Sequence, residues 1–185
     1  MRYCPSEPFS SESRASQSAK EFNKSKVRII EKQNSASRMA GLVLPAVRHN
    51  RRRHDALQKF FLTNDSVTIA TEVPIYLLPK DIMHMKKWLG FEIPLDDAEP
   101  IGGHIDFLQI RNGLVHILDY KPGAKKERPI GQLMIYALAL SRLTGLRLFD
   151  FKCAWFDETG YYEFYPLRVV RKSKLAVVDA ADRAL

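Results

Sequence analysis

Residues 103–121 read Gly103-His-Ile-Asp106-Phe-Leu-Gln-Ile-Arg-Asn112-Gly113-Leu-Val-His-Ile-Leu-Asp119-Tyr-Lys121. Two apolar runs flank Asn112-Gly113, a dipeptide that strongly predicts a two-residue β-hairpin turn. Counting outward from this turn pairs Leu108 with Ile117 and places Asp106 directly opposite Asp119. The segment therefore predicts two antiparallel strands that bring two carboxylates together at one end of a sheet.

The predicted pair of carboxylates indicates a cation site. Directly paired strand residues have Cβ atoms roughly 5 Å apart. Lys121 lies two residues beyond Asp119 and points to the same face, because side chains alternate along a strand. Two such carboxylates repel each other, and a cation between them converts that repulsion into binding. We expect a divalent-metal site here. The alternative is a pair of ordinary strand-end carboxylates with Lys121 as their solvated partner.

The remaining pattern predicts an α/β domain. Both faces of the hairpin are apolar away from its end, which is typical of central strands covered on both sides. After the hairpin, helical spacing places Gln132 and Tyr136 on one face of a helix that ends near Gly145. The other predicted elements are a helix at 54–62, a strand at 67–73, a helix at 80–90, strands at 149–156 and 161–167, and a helix at 173–185.

Three motifs in this order resemble those of a known family. Gly103-x-x-Asp106 in a strand, Asp119-Tyr-Lys121 in the next strand, and Gln132-x-x-x-Tyr136 in a helix resemble the RecB-type branch of the PD-(D/E)XK nucleases. The resemblance covers roughly residues 50 to 140. It implies a restriction-endonuclease-like core, in which helices flank a central mixed sheet.

The function implied by this resemblance is metal-dependent hydrolysis of phosphodiester bonds through a metal-activated water. The expected substrate is nucleic acid, in particular DNA, and endonuclease and exonuclease action both stay open. Two other classes also stay open: a catalytically silent nucleic-acid-binding module, and an interaction subunit on the same fold.

The resemblance also implies roles for individual residues. Asp106 and Asp119 would hold Mg²⁺ or Mn²⁺ with the backbone carbonyl of Tyr120, and Lys121 would orient the water or stabilise developing charge. Glu72, in the strand before the hairpin, would help to position the attacking water. Its alternative role is that of a salt-bridged strand carboxylate.

Two histidines compete for a place in the metal shell. In the RecB-type pattern a histidine on the first helix is a ligand, and His54 occupies that position. A lone histidine near three arginines can equally be a surface residue. His104 faces Lys121 by the hairpin register and could contact metal or phosphate instead, whereas His116 is predicted to be structural.

Substrate contacts are expected on the helix after the hairpin and in the loop before it. The resemblance implies that Gln132 and Tyr136 contact the substrate backbone or brace the lysine; otherwise they form a helix face that happens to be polar. The loop residues Lys125, Lys126 and Arg128 extend the positive surface toward a track of phosphates.

The net charge of +8 is concentrated near the N-terminus. Residues 1–53 contain 12 Lys and Arg and 4 Glu, which already accounts for the whole excess. The first 37 residues include nine serines and few apolar anchors, so residues 1–48 are predicted to be a basic, flexible, disordered tail before a domain at 49–185. The tail is interpreted either as an electrostatic tether for phosphates or as a solubilising segment.

Composition narrows the remaining possibilities. With two cysteines, neither a disulfide framework nor a four-cysteine iron–sulfur cluster is expected. No apolar run reaches the roughly 20 residues of a membrane helix, and the N-terminus does not resemble a signal peptide, so an intracellular location in cytoplasm or nucleoid is expected. No helicase motif is present, so a helicase or repair partner would be a separate protein.

Overall fold

The computed structural model describes residues 14–18, 27–49, 52–95 and 99–172. Its strands are β1 (Ile30–Lys32), β2 (Thr68–Leu77), β3 (Phe91–Glu92), β4 (Ile101–Arg111), β5 (Leu114–Tyr120), β6 (Phe151–Phe156), β7 (Tyr161–Phe164) and β8 (Arg171–Lys172). Its helices are α1 (Ala15–Ser18), α2 (Ser35–Val43), α3 (Arg53–Asn64), α4 (Pro79–Trp88) and α5 (Ile130–Thr144). The helix predicted at 173–185 lies outside the described residues.

The main sheet has six strands in the order β1-β7-β6-β5-β4-β2. It is mixed, because β5 and β6 run parallel while β4 and β5 are antiparallel. Strands β3 and β8 form a separate two-stranded sheet. The predicted α/β architecture, with a central mixed sheet and flanking helices, is confirmed. No helix in the described ranges has both the length and the apolar character that crossing a bilayer requires.

The hairpin forms as its turn dipeptide predicts. Asn112 and Gly113 both have positive φ, 52° and 73°, as a type I′ turn requires. Leu108 pairs with Ile117 as expected, but the ladder ends at Phe107 and Leu118. One residue further, the Asp106 carboxylate accepts a hydrogen bond from the Tyr120 backbone N–H at 2.9 Å. The expected backbone pairing of Asp106 with Asp119 is therefore replaced by a side-chain contact that ends the ladder.

Apolar layers cover both faces of the sheet. Helix α5 is buried against one face together with side chains such as Ile105 and Ile117. On the other face, α2 and α3 pack on an aromatic cluster, in which the rings of Phe61 and Phe107 are 4.7 Å apart. Burial of these apolar side chains supplies the main driving force for folding. It also holds α3 in place, so that the first turn of the helix lies beside Asp106 of β4.

Part of the predicted tail is a folded part of the domain. Residues 30–32 pair with β7 as an edge strand, and α2 buries Ala36 and Ala40 completely. The Asn34 side chain starts α2 by accepting a hydrogen bond from the Ala36 N–H at 2.9 Å. The predicted boundary at residue 49 therefore does not hold for residues 27–48. The prediction of disorder for residues 1–13 and 19–26 falls outside the described residues.

Candidate active site

The two hairpin carboxylates and the lysine meet just beyond the last residue pair of the β4–β5 ladder, Phe107 and Leu118. Asp119 is 2% exposed, and its Oδ2 lies 2.8 Å from Nζ of Lys121. Burial, followed by the charge of Asp106, raises the pKa of Asp119 to about 7, although Lys121 acts in the opposite direction. The predicted cluster is thus present, and the negative charge of its carboxylates is only partly compensated.

Lys121 is held as a cation. Burial would lower its pKa, but the charge and hydrogen bond of Asp119 and the charge of Asp106 outweigh burial and raise the pKa overall. The lysine therefore carries a positive charge directly beside the two carboxylates.

His54 reaches the site from the first turn of α3. Its Nδ1 lies 3.5 Å from Oδ2 of Asp106, and its ring meets the edge of Tyr120 at a centroid distance of 5.0 Å. The hydrogen bond with Asp106 is the largest contribution to a raised pKa of His54. His104, in contrast, is exposed and lies opposite Pro74 of β2. Of the two competing histidines, the structure brings His54 to the carboxylates.

Glu72 lies beside Asp106 on the neighbouring strand. Its neighbours Thr71 and Val73 pair with Phe107 and Ile105, and Glu72 itself has a φ of +50°. Left-handed backbone is uncommon for a residue with a side chain, and such residues cluster at functional sites. The exposed carboxylate turns toward α3, where its Oε1 accepts a hydrogen bond from the amide of Gln58.

Gln58 is a candidate site residue that lies outside the three sequence motifs. It follows His54 by four residues on α3, so the two side chains share one helix face, and it is 7% exposed. The spacing from His54 was a usable signal. Without that spacing, a lone glutamine in a helix would not indicate a functional site.

Gln132 and Tyr136 form the side of the site opposite α3. The Gln132 amide donates a hydrogen bond to the Tyr136 hydroxyl at 2.7 Å. Burial raises the pKa of Tyr136, and the charges of Asp119, Asp106 and Glu72 raise it further. Tyr136 also packs on Gly103, where an added Cβ would come within 2.8 Å of its ring. The Gly-x-x-Asp motif therefore includes glycine because the tyrosine approaches the backbone.

The basic loop before α5 is exposed and only partly faces the site. Lys125 and Lys126 lie in a short turn that is anchored by its buried neighbour Ala124, whose N–H donates to Asp157 at 2.8 Å. Arg128 lines a cavity of about 330 Å³ together with Lys121 and Gln132. Of the three loop residues predicted to contact substrate, Arg128 lines the same cavity as Lys121.

The donor chemistry of the site suits a hard divalent cation. Carboxylates and an imidazole are ligands that Mn²⁺ accepts, and the carboxylates also suit Mg²⁺. Asp119 is buried beside Asp106 with Lys121 as its ion-pair partner, and burial and the charge of Asp106 raise its pKa, so a bound cation would stabilise its charged form. Within the described ranges, however, no three His, Cys, Asp or Glu side chains are arranged to enclose an ion. The side chain of Tyr120 is buried in the core.

The family model of the PD-(D/E)XK nuclease superfamily matches residues 16–160. The match covers the hairpin, α5 and α3, and it also includes part of the N-terminal region that had been predicted as a tail. The mixed sheet with its flanking helices agrees with the predicted restriction-endonuclease-like core. Comparison with individually curated proteins gives no match. With the matched region covering most of its length and the motif residues gathered at one sheet end, the chain belongs to the PD-(D/E)XK nuclease superfamily.

Proposed function

We propose that the protein is a RecB-type, divalent-metal-dependent nuclease that hydrolyses phosphodiester bonds, with DNA as its substrate. The observation that carries this proposal is the grouping of Asp106, Asp119 and Lys121 where the β4–β5 hairpin ends, with His54 in contact with Asp106. A non-cutting descendant of this superfamily would have no need of this grouping.

The proposed metal site consists of Asp106, Asp119 and His54, with the Tyr120 carbonyl as a further ligand. A bound Mg²⁺ or Mn²⁺ would supply Lewis-acid activation of water and phosphate. Lys121 stabilises negative charge on the phosphate, because its ion pair with Asp119 holds the ammonium beside the proposed metal site. Glu72, exposed on the neighbouring strand and held by Gln58, accepts a hydrogen bond from the attacking water and thereby orients it.

Substrate positioning falls to the groups around this centre. Tyr136 is a protonated phenol at neutral pH, as burial raises a pKa that is already high, and it can donate a hydrogen bond to a phosphate oxygen. Gln132 fixes the orientation of that phenol through their 2.7 Å hydrogen bond. Lys125, Lys126 and Arg128 extend positive charge along the path of the backbone.

The decisive assay incubates linear and circular DNA, each single- and double-stranded, with Mg²⁺, Mn²⁺ or EDTA. We expect cleavage with metal and none with EDTA, and circular substrates separate endonuclease from exonuclease action. Matched RNA substrates test the preference for DNA. Asp106→Asn, purified in parallel, controls for contaminating nucleases. Nucleic-acid binding without cleavage under every condition would support the binding-module alternative instead.

A further inference from the structure

The N-terminal segment 14–18 packs directly against the candidate active site. Ala15 is 2% exposed, and its Cβ would lie 3.4 Å from a Cβ added to Gly103. Arg14 forms a parallel bridge with Gly102. The segment thus follows β4 at the two glycines that precede Asp106, and it contacts the backbone of the Gly-x-x-Asp motif.

Ser16 of this segment helps to enclose the cavity beside the lysine. The cavity measures about 330 Å³, and its polar lining comes from Ser16, Lys121, Glu127, Arg128 and Gln132. This volume is at the lower end of the range for small-molecule sites, so it suits one sugar-phosphate unit and not a base pair. The walls come from two parts of the chain that are far apart in sequence, Ser16 and residues 121–132.

The lining has the character of an anion site with one opposing charge. Lys121 and Arg128 contribute two cations, Gln132 an amide and Ser16 a hydroxyl, whereas Glu127 contributes one anion. Phosphodiester oxygens only accept hydrogen bonds, so a serine hydroxyl and an amide are suitable partners. The Ser16 side chain is exposed, so its hydroxyl is accessible to a ligand in the cavity.

We propose that this cavity binds the substrate phosphate next to the scissile one, and that Ser16 donates a hydrogen bond to it. Segment 14–18 is then a wall of the substrate site and not part of a separate tail. The proposal rests on the proposed nuclease function. The position next to the scissile phosphate is inferred from Lys121, because this residue contacts Asp119 on one side and lines the cavity on the other.

The first test compares Ser16→Ala with Ser66→Ala, a matched loss of an exposed hydroxyl in the turn before β2. A hydrogen bond to a charged phosphate oxygen is lost only in Ser16→Ala, so we expect KM to rise about tenfold with kcat nearly unchanged. Glu127→Gln should change KM in the opposite direction, because it removes the one anion that faces the phosphate. Equal KM values for wild type and Ser16→Ala would overturn the proposal.

The second test identifies the phosphate. Oligonucleotides that carry one neutral methylphosphonate at either linkage flanking the cleaved bond are compared in wild type and Ser16→Ala. At one of the two positions the methylphosphonate should raise KM about tenfold for wild type. It should have little additional effect on KM for Ser16→Ala, since the hydrogen bond is already lost in that variant. Independent effects at both positions would contradict a contact between Ser16 and a flanking phosphate.

Truncation separates the segment from the residues before it. Deletion of residues 1–13 should leave KM unchanged, whereas deletion of residues 1–18 should raise it. A higher activity after deletion of 1–18 would show that the segment blocks the site, and would overturn the proposal. If wild type does not cleave DNA at all, the nuclease function fails, and oligonucleotide binding by fluorescence anisotropy then decides the phosphate subsite with the same Ser16 and Ser66 variants.

Discussion

Asp119 shows how one residue can be unfavourable for folding and necessary for a site. Its carboxylate is almost completely buried, and a second carboxylate, that of Asp106, lies close by. Burial and repulsion both disfavour its charge, and Lys121 compensates only in part. A structural role alone would be served better by a neutral side chain.

We therefore predict that Asp119→Asn abolishes cleavage and leaves the metal-free protein at least as stable at pH 8. Two like charges roughly 5 Å apart repel by on the order of 1 kcal/mol even at the dielectric constant of water, and the substitution removes one of them. Cleavage is measured with metal, and the midpoint of thermal unfolding is measured in EDTA. A variant that cuts at the wild-type rate would remove Asp119 from the site.

His116 is a second residue whose charge the fold disfavours. It is 4% exposed and pairs with Lys152 across β5 and β6. Burial, followed by the charge of Lys152, lowers its pKa to about 4. The unfolded chain takes up a proton near pH 6.5, while the folded protein resists protonation until about pH 4.

The free energy of unfolding should therefore be constant above pH 6.5 as far as His116 is concerned, and should fall as the pH drops from 6.5 toward 4. The loss is on the order of 3 kcal/mol, from the linkage between pKa shift and stability. His116→Gln should flatten this slope, whereas the exposed His104→Gln should not. Urea unfolding at intervals of pH provides the curves, and parallel curves for wild type and His116→Gln would contradict the prediction.

Among the secondary-structure elements, α3 packs in the hydrophobic core and also carries side chains of the candidate active site. Leu57 and Phe61 are fully buried, which fixes the rotation of the helix. The same rotation presents His54 to Asp106 and Gln58 to Glu72. One amphipathic helix therefore positions two groups at the site by its packing.

His54→Ala should lower Mn²⁺ affinity and reduce any preference for Mn²⁺ over Mg²⁺, because imidazole favours the later metals. His104→Ala should leave Mn²⁺ affinity largely unchanged and act on substrate binding. Isothermal titration of Mn²⁺ into each variant distinguishes them. If His104→Ala alone loses Mn²⁺ binding, the hairpin itself supplies the third ligand.

Gln58→Ala should lower kcat about tenfold, with a smaller effect on thermal stability. Without the amide, Glu72 loses a partner that holds its carboxylate in place, and a backbone at φ +50° is disfavoured by about 1 kcal/mol. Gln58→Glu should be more damaging, because it places a like charge beside Glu72. The exposed Gln33→Ala is the control, and wild-type kcat in Gln58→Ala would show that Glu72 needs no such support.

At the scale of the whole molecule, most of the excess positive charge belongs to folded or adjoining segments. Residues 1–26 contain five Lys and Arg against three Glu, an excess of two, and residues 27–53 contain seven against one, an excess of six. The second group includes β1, α2 and the start of α3 beside the site. The first 26 residues therefore carry little net positive charge with which to act as an electrostatic tether for phosphates.

Binding of DNA should depend on salt through this folded surface. Arg52→Gln, at the start of α3 two residues from His54, should lower the slope of log affinity against log salt by about one, as expected for the loss of one phosphate contact. Lys59→Gln, further along the same helix, should leave the slope unchanged. Fluorescence anisotropy at several salt concentrations in EDTA measures both, and equal slopes for the two variants would place the phosphate track elsewhere.

The sequence by itself determined the parts that depend on near neighbours. Asn112-Gly113 specifies a turn with two positive φ angles, and the turn specifies the register as far as Phe107 and Leu118. Helix α5, with its end at Gly145, follows from local spacing and capping. These features were predictable because each is decided within a few residues along the chain, and the motif residues are attached to them.

Tertiary structure alone decided which distant segments complete the domain. Helix α2 buries only small side chains such as Ala36 and Ala40, which give a weak hydrophobic signal, and its Ser37 hydroxyl bonds the carbonyl of Gly160 at 2.9 Å. The bond between Gln58 and Glu72 likewise depends on how α3 lies across β2. The free energy of such contacts comes from close packing between segments far apart in sequence, and no local pattern records which partners will meet.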